Sequence, residues 1–302
     1  MTINLCLFRQ FSSIPTRSMK GSKDNEFGHY LAGYIEGDGT IITPFSLKTP
    51  NGNKRVCSIQ IVFHVADLEF VKLLRERIGH GNIYFTKGSN TVRLMIQNIQ
   101  GVLYIINLIN GKMRTPKIVA LHRMIDWLNK YQLKNLGGQH RILTKLPLDS
   151  SPINSNSWLA GFIDTDGCFS IKGFTSEKAH PGFQFYLCQR EKDKNGSLHD
   201  IMSTIAKFLE VSLKLRSANG YSQWNITTSS SKCNLILSNY LTRFPLFTSK
   251  YLNYMDWKYA SELYYIKEHL NNIVISDKIK NIKLNMNSHR KTFSWSHLIH
   301  FY

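Results

Sequence analysis

The chain has 302 residues, with 38 Lys and Arg against 20 Asp and Glu, a formal net charge of +18 and 42% apolar residues. The charge is spread over both halves, 20 basic and 9 acidic before residue 151 and 18 basic and 11 acidic from there on. A polyanionic partner is therefore expected along the whole molecule, and nucleic acid ahead of a membrane surface. Aromatics at 12% exclude disorder, and apolar runs as short as Val102 to Ile106 exclude a membrane span. The five cysteines (Cys6, Cys57, Cys168, Cys188, Cys233) are scattered and form no CxxC pair. They fit free thiols in a reducing interior, not a disulfide framework or a zinc centre.

In chain order, residues 1–24 form an N-terminal extension. They carry Arg9, Arg17, Lys20 and Lys23, four serines and no acid before Asp24, a pattern similar to an organellar targeting segment. A first α+β half is expected over 25–134. In it Cys57, Ile59, Ile61, Phe63 and Val65 alternate with polar residues as a strand, and Val92, Leu94 and Ile96 do the same. Helices are expected over Leu68–Ile78, closed by Gly79, and over Thr115–Lys130. Residues 135–156, with Gly137-Gly138, two prolines and a Ser/Asn cluster, read as a linker. A second half over 157–302 repeats the strand pattern at Phe183, Phe185 and Leu187 and at Leu213 and Leu215, and ends in a basic tail.

The chain repeats itself. Leu31-Ala32-Gly33-Tyr34-Ile35-Glu36-Gly37-Asp38-Gly39 recurs 128 residues later as Leu159-Ala160-Gly161-Phe162-Ile163-Asp164-Thr165-Asp166-Gly167, with six of nine positions identical. As a helix, Leu31, Tyr34, Ile35 and Asp38 share one face, as do Leu159, Phe162, Ile163 and Asp166. The small pairs Ala32-Gly33 and Ala160-Gly161 let a second helix approach closely, and its natural partner is the other copy.

That packing would bring Asp38 and Asp166 together at helix ends that already carry partial negative charge. Like charges so placed repel unless a cation or a proton intervenes. Two carboxylates with the exposed carbonyls of Gly37 and Thr165 make a hard, all-oxygen set. It suits Mg²⁺, with Mn²⁺ or Ca²⁺ as other occupants, completed by water and phosphate oxygens. Glu36 and Asp164 lie on another face and read as structural or solvated.

The doubled nonapeptide resembles the LAGLIDADG signature, and the chain from about Asn25 to Arg290 is similar to a single-chain, two-motif LAGLIDADG homing endonuclease. The resemblance implies two αββαββα halves related by a pseudo-twofold axis, whose antiparallel sheets form a saddle over double-stranded DNA. It implies a functional monomer in which Asp38 and Asp166 bind metal and the scissile phosphates. Both strands of a long asymmetric site are then cut across the minor groove, leaving 3′ overhangs. It also implies a mitochondrial intron product with no membrane role. By the same resemblance Gln189 is a candidate catalytic residue, Asp67 its counterpart in the first half, and Lys214 the active-site lysine or a phosphate contact. Lys117 and Lys250 open late helices and read as helix-surface or phosphate contacts.

In such a saddle, strand alternation assigns a DNA-facing set. The first half offers Thr40, Ile42, Ser46, Lys48, Ser58, Gln60, His64, Thr91, Arg93 and Gln97; the second offers Cys168, Ser170, Lys172, Gln184, Tyr186, Lys214, Arg216, Gln223, Asn225 and Thr227. Arg and Lys suit guanine, Gln and Asn suit adenine, and Ser and Thr adapt. The tail bases Lys278, Lys280, Lys283, Arg290 and Lys291 are expected at phosphates. Two other readings keep the fold: an intron RNA maturase, and a DNA-binding protein that does not cut. The second predicts loss of Asp38 or Asp166, and both are present.

Overall fold

The computed structural model describes residues 20–48, 50–53, 55–135, 142–173, 182–218, 220–265 and 273–302. Most of the N-terminal extension (1–19) and part of the linker (136–141) lie outside the described residues. The first half runs α1 (Lys20–Asp38), β1 (Gly39–Ile42), β2 (Ser58–His64), α2 (Leu68–Ile78), β3 (Asn82–Phe85), β4 (Thr91–Ile96), α3 (Ile99–Ile109) and α4 (Ile118–Asn135). The second runs α5 (Trp158–Asp166), β5 (Gly167–Lys172), β6 (Gly182–Arg190), a small hairpin of β7 (Lys192–Asp193) and β8 (Gly196–Ser197), and α6 (His199–Phe208). It continues with β9 (Lys214–Ala218), β10 (Tyr221–Thr228), α7 (Ser231–Arg243), α8 (Lys250–Tyr265) and α9 (Ile273–Leu284).

Each half builds one four-stranded antiparallel sheet, in the orders β1-β2-β4-β3 and β5-β6-β10-β9. The period-2 pattern explains them. Ile59, Ile61, Phe63, Val92, Leu94 and Ile96 are buried on the face that packs against α1 and α2, and Phe169, Phe183, Phe185 and Leu187 are buried in the second half. The other parity stays open. Helix α2 ends where the sequence indicates, at Gly79, whose φ of 73° is left-handed and whose N–H reaches back to Arg75 and Glu76. Helix α4 starts later than the sequence suggests, because Thr115-Pro116-Lys117 forms the turn that introduces it.

The two motif helices α1 and α5 form the seam between halves. A β-carbon added to Gly33 would lie 2.0 Å from the Trp158 carbonyl oxygen, and one added to Gly161 would lie 2.0 Å from that of Tyr30. Both glycines are thus required by backbone contact. At the opposite end of α1 from the acids, the tail crosses from the second half. Phe301 packs edge-on to Phe27, Phe70 and Phe247, with ring centroids 5.7, 5.5 and 5.0 Å away. Arg77 Nε donates to the Tyr302 carbonyl at 2.9 Å.

The described part of the linker is pinned to the first half. Asn129 exchanges hydrogen bonds with Leu143, Asn110 donates to the Thr144 carbonyl, and the Asp149 N–H donates to Met113. Among the described residues no helix is long and apolar enough to cross a membrane, and Cys57, Cys168, Cys188 and Cys233 are free thiols.

Candidate active site and nucleic-acid interface

Asp38 and Asp166 close α1 and α5 side by side at the seam: a β-carbon on Gly37 would come within 2.8 Å of Asp166 Oδ2. Partial burial, and then the charge of Asp166, push the Asp38 carboxyl up to about 6, with Lys250 and Lys117 opposing. The like-charge conflict anticipated from the repeat is therefore present. Asp166 Oδ2 accepts from Gln189 Nε2 at 2.8 Å, and its neighbour Thr165 Oγ1 lies 3.0 Å away, sharing its proton with the Phe162 carbonyl at 2.7 Å.

The carbonyls at these helix ends already have partners. Lys117 Nζ shares its three protons among the carbonyls of Ile35, Glu36, Gly37 and Gly39, at 3.0, 2.7, 3.2 and 2.9 Å. Lys250 Nζ donates to those of Ile163 and Thr165 at 3.0 and 2.7 Å. Burial pulls both ammonium pKa values below the usual lysine range, while neighbouring acids hold them up. The expectation of helix-surface or phosphate contacts for these lysines is corrected. Each caps its motif helix by setting an ammonium group against carbonyls that the helix end leaves without intrahelical partners. Their parallel placement in Thr115-Pro116-Lys117 and Thr248-Ser249-Lys250 was the signal available in the sequence.

Glu36 and Asp164 are buried and hold those same turns. Glu36 accepts from the N–H groups of Arg114 and Thr115 at 2.9 and 2.5 Å; Asp164 accepts from the Phe247 N–H and the Thr248 hydroxyl at 2.7 and 2.6 Å. The motif carboxylate fixes the turn, and the lysine leaving the turn fixes the end of the motif helix. Burial pushes Glu36 up to about 7 and Asp164 up to about 6, against these donors.

Two expected site residues lie elsewhere. Strand register pairs Gly39 with Ile61 and Gly167 with Leu187, so the first-half position equivalent to Gln189 is Phe63, not Asp67. Asp67 sits in the turn Val65–Asp67, buried, where its Oδ1 accepts the Ser249 N–H at 2.7 Å; it ties the halves together. Lys214 is exposed on the outer strand β9 and pairs with Asn225, which pairs with Cys188, the strand residue abreast of Asp166. Three strand spacings, about 14 Å, separate its backbone from that acid. The ammonium groups beside the acids are those of Lys117 and Lys250.

The open sheet faces carry most of the expected set. Thr40 pairs with Gln60, His64 with Thr91, Cys168 with Tyr186 and Tyr186 with Thr227. Arg216 pairs with Gln223, and Ser170 with Gln184. Ile42, Ser46, Lys48, Gln97 and Lys172 are exposed. Ser58 and Asn225 depart from the expectation, because both are buried; the Asn225 amide is occupied by the Cys188 thiol and the Gln223 carbonyl. Register adds Asn82, Tyr84 and Arg190, opposite Met95, Arg93 and Gln223. Three tail bases have other partners: Lys278 at the Tyr259 hydroxyl, Lys283 at the Gly173 carbonyl and Arg290 at Asp256.

Among the described residues no three His, Cys, Asp or Glu side chains converge to hold a metal by themselves. Two adjacent carboxylates opening on a polar face suit Mg²⁺, which keeps water and takes further oxygens from a phosphate. The Gly37 and Thr165 carbonyls are already shared with the lysines.

The LAGLIDADG endonuclease family model matches residues 31–128 and 159–261, the two motif-bearing segments. The chain is 32% identical to the intron-encoded DNA endonuclease aI3 of Saccharomyces cerevisiae over 92% of this chain and 74% of that one. It is 29% identical to an uncharacterized cox1 intron-2 protein of Schizosaccharomyces pombe over 84% and 71%. Its fold is similar to that of the I-SmaMI LAGLIDADG homing endonuclease, solved bound to cleaved DNA, with a TM-score of 0.66 and 17% identity over 87% of this chain and 98% of that one. A repeat written twice, two sheets on one helical seam and matches across both halves agree: the chain belongs to the LAGLIDADG endonuclease family.

Proposed function

We propose that this chain is a site-specific double-strand DNA endonuclease that works as a monomer, one half serving each strand. The observation carrying this reading is the pair Asp38 and Asp166, two carboxylates set side by side at the seam between two open, polar sheet faces. The net charge of +18 supplies affinity for the DNA backbone. Named relatives support it, since aI3 of Saccharomyces cerevisiae is described as an intron-encoded DNA endonuclease. An organellar, mitochondrial intron origin goes with the same relatives.

Asp38 and Asp166 would hold Mg²⁺, which when bound activates water and stabilises the leaving oxygen. With that ion bound the acids would hold the scissile phosphates at the seam, and Lys117 and Lys250 keep the helix ends that carry them rigid. Hydrolysis adds the water oxygen to phosphorus and breaks the bond to the deoxyribose oxygen, which takes up a proton. Cuts facing each other across the minor groove leave 3′ overhangs. Of the side chains placed on the open faces, the exposed Gln97, Arg216 and Gln223 and the partly open Gln60 and Arg93 read base edges.

The test is Mg²⁺-dependent cleavage of a DNA library carrying intron-insertion-like sites, comparing wild type with Asp38→Asn and Asp166→Asn. Discrete double-strand cuts that are lost in both variants while DNA binding persists support the reading. Absence of any DNA cutting, with tight binding to a folded intron RNA, overturns it in favour of a maturase.

A further inference from the structure

Asp38 and Asp166 occupy equivalent places in the repeat but are not held alike. Two side chains meet Asp166 Oδ2: Gln189 Nε2 donates to it at 2.8 Å, and Thr165 Oγ1, whose one proton lies between the Phe162 carbonyl at 2.7 Å and this oxygen, packs on it at 3.0 Å. At the positions equivalent to Gln189 and Thr165, the first half has Phe63 and Gly37. Phe63 is buried, stacks on Tyr34 at 5.2 Å and carries no donor. Among the described residues no hydrogen-bond donor reaches the Asp38 carboxylate.

The seam itself enforces this difference. A β-carbon on Gly37 would stand 2.0 Å from Thr165 Oγ1, so only one of the two paired positions can carry a side chain. The hydroxyl sits on the second half, and the first half gives up its side chain to admit it. A carboxylate held by the Gln189 amide and backed by the Thr165 side chain presents its free lone pairs in one direction; an unfixed one must be ordered when it binds.

We propose that Gln189 and Thr165 are positioning residues that preorganise Asp166, so that the two strands are cut in a set order through a nicked intermediate, the Asp166 half acting first. This rests on the endonuclease reading above.

The experiment follows each strand separately, with different end labels on the two strands of the target duplex, in single-turnover Mg²⁺ cleavage by the full chain. Wild type, Gln189→Leu and Thr165→Val are compared, with Thr165→Ser as the variant that keeps the hydroxyl. In wild type one strand is nicked faster and nicked duplex accumulates. Gln189→Leu and Thr165→Val slow that faster nick by about tenfold and leave the slower one unchanged, and Thr165→Ser stays near wild type. A second readout is independent of cutting: Mn²⁺ binding, followed by the resonance signal of the free ion. Gln189→Leu weakens the tighter of two binding events by a similar factor, and a purely structural role would not single out that event.

Equal nicking rates in wild type overturn the order, as does a Gln189→Leu effect that is equal on both strands or confined to the slower one. If wild type cuts neither strand at any metal concentration, the endonuclease reading itself fails, a result distinct from equal cutting of both.

Discussion

The indole Nε1–H of Trp158, the first residue of the second motif helix, donates to Glu36 Oε2 of the first motif helix at 2.5 Å. Its mirror image is the Tyr30 hydroxyl, which donates to Asp164 Oδ2 at 2.7 Å from the first half to the second. Each buried carboxylate therefore holds a turn in its own half and an aromatic donor from the other. A buried carboxylate is costly unless its lone pairs are satisfied, and here satisfaction requires both halves. The seam is specified by polar groups as well as by the small residues that bring the backbones together.

These two carboxylates give stability a defined pH dependence. Glu36 is raised to about 7 and Asp164 to about 6, mainly by burial, so the folded chain binds their protons more tightly than the unfolded chain does. Their contribution is fully present below the ordinary carboxylate range and is lost as pH rises toward about 7. Thermal unfolding followed from pH 4 to 8 should show Tm falling through that window. Glu36→Gln should flatten part of the slope and should cost about 2 kcal/mol at low pH, because the amide sets N–H against N–H donors.

The lysine caps can be tested without DNA. Lys117→Met leaves the carbonyls of Ile35, Glu36, Gly37 and Gly39 without their shared donor. A loss of about 3 kcal/mol is expected by denaturant unfolding. Lys117→Arg should rescue little, since a planar guanidinium cannot bring one atom onto four convergent oxygens.

Close approach at the seam predicts intolerance to a single methyl group. Gly33→Ala and Gly161→Ala each place Cβ 2.0 Å from a backbone oxygen of the other helix, an atom that cannot rotate away. Each should cost about 3 kcal/mol or more. The double variant should not yield a cooperative unfolding transition by circular dichroism.

The tail should act on stability alone. Phe301 fills a pocket made by Phe27 and Phe70 of the first half and Phe247 of the second. Phe301→Ala should lower stability by about 3 kcal/mol. Phe27 precedes Asp38 by eleven residues, about 16 Å along α1. Cleavage rates well below the lowered Tm should therefore stay at the wild-type value.

Much of this was legible in the chain. The repeat located both motif helices, the period-2 runs located the central strands, and Gly79 located the end of α2, because each signal lies within a few residues. The late lysines were visible but misread. The carbonyls they cap lie about eighty residues earlier in sequence, and a lysine shows the same pattern whether it faces solvent or a helix end. The pairing of Gln189 with Asp67 failed for a related reason. Asp67 lies just past the end of β2, where the chain has already turned away from the sheet, and only hydrogen-bond register fixes which residue matches Gln189.

By itself the sequence determined that two similar α+β halves exist, that each ends its first helix in an acid, and that the surface is basic enough for a polyanion. These follow from periodicity, identity and charge, which are local or summed properties. Only the tertiary structure decided which groups surround each acid. Gln189 or Phe63 beside it, Thr165 or Gly37 at the axis, and Lys250 or Lys117 beneath the helix end are set by strand register and by the close packing of α1 on α5. Those relations join residues far apart in the chain, and no short-range pattern encodes them.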